Sequence, residues 1–111
     1  MDAVDQYRTI IARIFREWEA FPRIAPDWFI EGVEDHQRDR YVLLHVDAKN
    51  GQHKSHPLAH LEIRDGKIWV LTDNTEEGIA TELVAAGVPK DRIVLAFYPP
   101  ALREMGEFAV A

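Results

Sequence analysis

Arg40-Tyr41-Val42-Leu43-Leu44-His45-Val46, then Asn50-Gly51, then Ser55 to Arg64, then Asp65-Gly66 and Lys67-Ile68-Trp69-Val70-Leu71: this stretch decides the fold. The three runs are rich in apolar and β-branched residues bounded by turn signals, which reads as three strands. Asn-Gly and Asp-Gly are leading two-residue hairpin signals, because both central positions of a type I′ turn need φ > 0. The turns also set a register. Around Asn50-Gly51, Lys49 pairs with Gln52, Asp47 with Lys54, His45 with His56 and Leu43 with Leu58. Around Asp65-Gly66, Ile63 pairs with Ile68, Glu62 with Trp69 and Leu61 with Val70. Side chains alternate along a strand, so two faces follow. One collects Val42, Leu44, Val46, Ala59, Leu61, Ile63, Ile68 and Val70, and is expected to be the core face. The other collects Tyr41, Leu43, His45, His56, Leu58, His60, Trp69 and Leu71. That mixture suits a partner or self-association surface, since an uncovered apolar patch on a small protein usually marks one. Pro57 cannot donate to a ladder and predicts an edge or a bulge at that point.

Working outward, the N-terminal segment reads as an amphipathic helix from about Asp2 to Ala20. Val4, Tyr7, Ile10, Ile11, Ile14, Phe15 and Trp18 recur at steps of three and four and form one apolar stripe. Asp2 is the expected N-cap, and Pro22 bars continuation. After a connector from Pro22 to Pro26, Trp28 to Glu34 reads as a strand, with Gly32 as the mark of a bulge. Beyond the meander, Asp73-Asn74-Thr75-Glu76-Glu77-Gly78 carries cap-and-carboxylate spacing, Asp73 with Glu76 or Asn74 with Glu77. A helix is expected from there to about Ala86, with Ile79, Leu83 and Val84 inward, Gly87 as its C′ residue and Pro89 beyond. Arg92 to Tyr98 reads as a short strand closed by Pro99-Pro100, and the apolar tail Phe108-Ala109-Val110-Ala111 is expected to dock on the body. The fold class is α+β in a single domain spanning 1–111: an N-terminal helix, an antiparallel meander, a second helix and a further short strand, with both helices largely on one face.

The chain has 111 residues, 47% of them hydrophobic and 29% charged, which fits one globular domain and excludes wholesale disorder. Lys plus Arg total 13 against 19 Asp plus Glu, a formal charge of −6. That balance argues against direct nucleic-acid binding by the isolated chain, whose affinity would come mainly from neutralised phosphates. The absence of cysteine excludes disulfides, Cys zinc sites, iron–sulfur clusters and thiol catalysis. No apolar run approaches the ~20 residues that span a bilayer. Met1-Asp2-Ala3-Val4-Asp5 has neither the basic nor the apolar part of a secretory signal, so no membrane association and a cytoplasmic location are expected.

Five histidines lie between His36 and His60. His53-x2-His56-x3-His60 fails as a metal site on a strand, because His53 points away from the other two and His56 lies ~13 Å from His60. Only His45 and His56, directly cross-strand, are placed to share an ion, and two ligands seldom suffice, so no metal is expected. The single serine, Ser55, has no nucleophile-elbow glycines around it. Asp73, Glu76 and Glu77 form a carboxylate group that helix capping already explains; the enzyme alternative would use it with His60 or His45. No Gly-rich phosphate loop is present. Arg8, Arg13 and Arg16 on the first helix are interrupted by Asp5, Glu17 and Glu19, as a solvated charged face would be.

Three stretches together carry a resemblance: Lys67-Ile68-Trp69-Val70, Asp73-x-Thr75-Glu76-Glu77-Gly78-Ile79-Ala80, and Gly87-Val88-Pro89-Lys90-Asp91-x-Ile93-Val94-Leu95. With Tyr7-Arg8-x-Ile10-Ile11, Asp39-x-Tyr41-x-Leu43-Leu44 and the closing Phe108-Ala109-Val110-Ala111, the sequence resembles the XisI family over essentially its whole length. Members of that family are the fdxN element excision controlling factors of cyanobacteria. The chain departs from the family in having Asp47-Ala48 for Gly-Trp, Tyr98 for His, and Asp73-Asn74 for Asp-Gly. The resemblance implies an accessory role in site-specific recombination, namely programmed DNA excision, beside a separate recombinase and a XisH-like protein related to restriction-type nucleases. It supplies no catalytic residues and no cofactor, and it leaves the role of Asp73, Thr75, Glu76, Glu77 and Gly78 open. An acidic chain can regulate a basic DNA-handling partner through complementary charge without touching DNA. The expected function is therefore a non-catalytic module acting by protein–protein interaction. A homo-oligomer formed through the Trp69 face is the third possibility.

Overall fold

A computed structural model describes residues 2–21 and 27–111. The Pro22–Pro26 connector lies outside the described residues. Helix α1 spans Ala3–Glu19, and Asp2 caps it by accepting from the Asp5 N–H at 2.8 Å. Its predicted stripe faces inward: Tyr7, Ile11, Ile14 and Phe15 are buried, and Val4, Ile10 and Trp18 pack partly buried against them.

Four strands follow as an antiparallel meander: β1 (Trp28–Asp35), β2 (Arg40–Asp47), β3 (Lys54–Arg64) and β4 (Lys67–Asp73). Both turns form as the sequence dictates. Asn50 and Gly51 have φ of 56° and 73°, Asp65 and Gly66 53° and 74°, and Gln52 N–H donates to Lys49 O at 3.0 Å. Helix α2 (Ile79–Ala85) then crosses over to β5 (Ile93–Leu95), which pairs parallel to β4 and makes the sheet mixed, in the order β1-β2-β3-β4-β5. A parallel neighbour requires such a crossover. A last turn of helix, α3, covers Pro100–Arg103. Within the described residues no helix is long and apolar enough to cross a membrane.

Around Asp65-Gly66 the register is as expected, with Ile63 opposite Ile68, Glu62 opposite Trp69 and Leu61 opposite Val70. Around Asn50-Gly51 it holds only at first. Asp47 faces Lys54, His45 faces His56 and Leu44 faces Pro57, but Leu43 then faces Ala59 rather than Leu58. Leu58 is the extra residue of a β-bulge beside the proline, where the ladder lacks an N–H. Its carbonyl and that of Pro57 are taken by Asn74, whose backbone N–H donates to Leu58 O at 2.7 Å and whose side-chain amide donates to Pro57 O at 3.0 Å.

One inserted residue exchanges the faces of β2. Tyr41 and Leu43, expected on the open side, are both fully buried against Leu61 and Ala59; Val42 and Leu44, expected in the core, lie on the opposite face and are half-buried. Val46 is buried but on that opposite face, paired with Ser55 and Phe29. The core-face assignments on β3 and β4 stand, with Ala59, Leu61, Ile63, Ile68 and Val70 in the same cluster as the inward residues of α1 and α2.

Gly32 marks no bulge, since β1 and β2 pair without a break from Trp28 to Asp35. It gives helix α1 room to approach: a Cβ there would lie 3.0 Å from Phe15 Cδ2. Because Gly32 faces Leu43 across the ladder, this also fixes which side of the sheet the helix covers. On the outer edge of β1, the Gly32 N–H donates to Glu19 Oε2 at 2.9 Å, and Arg16 ties Glu19 to Glu34.

Helix α2 is shorter than expected and begins at Ile79, so Glu76 and Glu77 lie in the preceding loop and neither capping box forms. It ends as predicted. Gly87 has φ of 109°, its N–H donates to Val84 O, and Val88 N–H reaches Leu83 O, both at 3.0 Å, with Val88 and Leu83 buried together. This is the Schellman arrangement that glycine at C′ permits. The tail docks as expected. Ala109 bridges Val94 and donates to Ile93 O at 2.9 Å, while Arg103 donates to Tyr98 O at 2.9 Å and Val110 O at 3.2 Å.

Candidate functional site

The eight residues expected on one sticky face divide between two sides of the sheet. Tyr41 and Leu43 belong to the core. His45 and His56 are directly cross-strand, as predicted, with ring centroids 6.4 Å apart, and the His45 ring also lies 4.5 Å from that of Trp28. His45 Nε2 is buried without a hydrogen-bond partner, whereas His56 is exposed. Leu58 packs half-buried on the core from its bulge, and Leu71 is the extra residue of a second bulge, between the pairs His60–Thr72 and Leu61–Val70. His60 and Trp69 lie on the face away from the helices, His60 beside Val42 and Trp69 beside Glu62. The Arg64 guanidinium covers the Trp69 ring at 3.9 Å, and Arg103 approaches it at 5.9 Å. Glu62, 6% exposed, is paired with Arg40 and Arg64. A second face does remain, and it carries Val33 (49% exposed), Val42, Leu44, the buried Val46 and His60, with Trp69 under its arginine. Among the described residues no three His, Asp or Glu side chains gather as metal ligands would.

The quoted motifs come together in two anchors. In the first, Arg8 grips Asp39 with two parallel bonds, Nε to Oδ1 at 2.8 Å and Nη2 to Oδ2 at 2.9 Å, while the Tyr41 hydroxyl donates to Asp39 Oδ1 at 2.9 Å. Arg8 sits in the Tyr7–Ile11 motif and Asp39 and Tyr41 in the Asp39–Leu44 motif, so this cluster pins α1 to the β1–β2 turn. Asp39 itself has φ of 54°, and its carbonyl accepts Ile63 N–H at 3.0 Å, linking the turn to β3. Hydrogen bonds from Arg8 hold the Asp39 carboxyl below its usual range; burial and Asp39 together push the Tyr41 phenol far above its own.

The second anchor is Asp73. Its Oδ1 accepts the Thr75 N–H at 3.1 Å and the Thr75 hydroxyl at 2.5 Å, and its Oδ2 accepts the Ile79 N–H at 2.7 Å. One carboxylate thus shapes the loop and caps the helix from six residues upstream, a role that sequence spacing does not advertise. Gly78 takes φ of 93° in the space this leaves, where an L side chain would be strained.

Beside this loop lies a cleft that takes Glu76 and Glu77 from the expected carboxylate group but completes it with Trp18, Phe21 and Glu82, which the sequence reading does not bring there. Its floor is Trp18 and Phe21, stacked at 6.5 Å between ring centroids, and its walls are Glu17, Glu76, Glu77 and Glu82. Two joined hollows of about 220 and 340 Å³ share Trp18, Phe21 and Glu82. Trp18 Nε1 donates to both Glu82 oxygens, at 3.2 and 3.1 Å. Burial raises the pKa of Glu82 against that bond, and the charges of Glu17, Asp73 and Glu77 raise it further. No described histidine lines the cleft. Trp18 read as the end of a core stripe and Glu17 as one acid among several; only the approach of α2 to the end of α1 joins them.

The comparisons agree with this architecture. The family model described as XisI protein matches residues 1–110. A crystal structure of a XisI-like protein from Anabaena variabilis ATCC 29413 is similar at TM-score 0.84 and 25% identity, covering 99% of this chain and 100% of that one. The crystal structure of the fdxN element excision controlling factor XisI from the same organism is similar at TM-score 0.80 and 32% identity, again over 99% and 100% of the two chains. Comparison with curated proteins gives no match. Continuous agreement in sequence and in fold over the full described length places the chain in the XisI family.

Proposed function

We propose that this chain is a non-catalytic accessory protein of programmed DNA excision, working in the cytoplasm of a cyanobacterium-like host through contacts with a XisH-like, nuclease-related protein. The observation that carries this reading is the full-length likeness to a protein named as an excision controlling factor, at 32% identity. Two features of the molecule support contacts with protein rather than chemistry or DNA. The Asp73 carboxylate, the centre of the most distinctive motif, spends both oxygens on backbone and hydroxyl donors of its own loop, whereas a general acid or base needs a free face toward substrate. The net charge of −6 repels phosphates and attracts a basic partner. Half-buried Val42, Leu44 and His60 with exposed Val33 offer an apolar sheet surface for such contacts.

Immobilised chain should capture a XisH-like protein at moderate salt while free chain leaves duplex DNA unretarded. Tight duplex binding by the chain alone, or no capture of the partner, overturns the reading.

A further inference from the structure

We infer that the cleft between the end of α1 and the start of α2 is a receptor for an arginine side chain presented by a basic protein partner. The inference deepens the accessory role proposed above and rests on it for the partner, but the recognition chemistry is the cleft's own. A guanidinium is planar, stacks on aromatic faces and bonds carboxylates through a fork of N–H groups. The cleft offers both surfaces at once. Trp18 and Phe21 form the floor, and Phe21 is 56% exposed, so its ring is open to a ligand. Glu17, Glu76, Glu77 and Glu82 stand around it, and among the described residues no Lys or Arg lines the two hollows that hold the rings. Arg13 lines only the neighbouring hollow beyond Glu17 and Glu82.

The carboxylates differ in how they are held. Glu82 is oriented by the Trp18 indole, so it is fixed before any ligand arrives, whereas Glu76 and Glu77 are exposed on the loop that Asp73 shapes. A fixed acid beside a ring, with two exposed acids opposite, suits a cation that enters end-on. Burial is the main cause that raises the Glu82 pKa, and the nearby charges of Glu17, Asp73 and Glu77 add to it; a cation entering the cleft relieves that added repulsion. A neutral or anionic ligand gains none of this. The occupant is therefore basic, and an arginine uses ring and carboxylates together where a lysine uses them as a point charge.

The test uses the full chain and an acetylated, amidated tetra-arginine peptide, with the tetra-citrulline peptide as the uncharged isostere. The readout is the indole N–H resonances of Trp18, Trp28 and Trp69, with Trp18 identified by Trp18→Phe. The expected result is saturable movement of the Trp18 resonance alone, no response to citrulline, and affinity weakened roughly tenfold or more in Phe21→Ala and in Glu77→Gln/Glu82→Gln. No movement of Trp18, an equal response to citrulline, or unchanged affinity in both variants overturns it. Self-association abolished by Phe21→Ala, with no peptide effect, gives the cleft to a second copy and also overturns it. The same variants in the partner capture separate the two ideas. Capture by wild type that both variants retain removes the cleft and leaves the accessory role. Peptide binding without any capture leaves the cleft and removes the role.

Discussion

Two hairpins of one sheet, built on the same type of turn, behave differently along their strands. The β3–β4 hairpin keeps the register set by Asp65-Gly66 from Arg64–Lys67 to Leu61–Val70, so its core residues are aligned before it gains a residue at Leu71. The β2–β3 hairpin keeps the register of Asn50-Gly51 for an equal run, from Asp47–Lys54 to Leu44–Pro57, but gains its residue at Leu58 before its core residues Leu43, Tyr41, Ala59 and Leu61 are reached. A turn fixes the pairs next to it; what lies further along is decided by where the strand must place its large side chains. At the Asp65 end, Tyr41, Leu61 and Val70 align on the core with Asp39 and Arg8 holding the neighbouring turn. At the Asn50 end, residues Lys54 to Pro57 are exposed, and the slip falls just beyond them. The bulge accommodates both demands, because shifting by one position flips every side chain beyond it.

The largest test of this contrast is a pair of truncations one residue apart. Leu43→Ala should lower unfolding free energy by about 2–5 kcal/mol in urea melts, since it empties a fully enclosed core position. Leu44→Ala, half-buried on the other side, should cost less than about 1.5 kcal/mol. Equal costs, or the reverse order, would restore the unbulged register.

Gly32→Ala sharpens the same point from β1. Glycine inside a strand normally gains from a methyl group, but here the new Cβ meets Phe15, so a loss of about 1–3 kcal/mol is expected in the same assay. A gain would place Gly32, and with it Leu43, on the side away from α1.

The smallest effect concerns the anchored end. Asp39→Asn should cost about 1 kcal/mol at neutral pH by weakening the Arg8 and Tyr41 bonds. Because the folded carboxyl titrates below the unfolded value of about 4, its contribution is complete above that pH and is lost as pH falls through the depressed folded value. The gap between wild type and variant should therefore close below roughly pH 4. A gap that is constant with pH would mean the carboxylate charge is not what holds the turn.

Local chemistry was readable wherever it acts over a few residues. Asp2 as cap, the stripe from Val4 to Trp18, both turns, and Gly87 at the end of α2 all follow from sequence because neighbouring atoms enforce them. Pro57 signalled an irregularity but not its direction, which depends on the core depth of Ala59 and Leu61. Asp73 was seen as a cap, yet its reach over six residues to Ile79 needs the positive φ at Gly78, which spacing rules for a regular first turn omit. The candidate surface lost Tyr41 and Leu43 for the single reason of the bulge, while His45 and His56 kept their pairing because they lie on the turn side of it. The pairing of Arg8 with Asp39, and the meeting of Trp18 with Glu82, join positions 31 and 64 residues apart. No periodicity encodes such meetings; they arise from packing.

The Glu19 carboxylate on the Gly32 N–H has a further consequence. Strand β1 is the sheet's outermost rail at that end, and the far rail, β5, is already bridged by Ala109. Parking an anion on the exposed rail blocks a foreign strand from zipping on and would set it against negative charge, so growth into fibrils by strand addition is discouraged at the point where the backbone, bare of a side chain, would otherwise invite it.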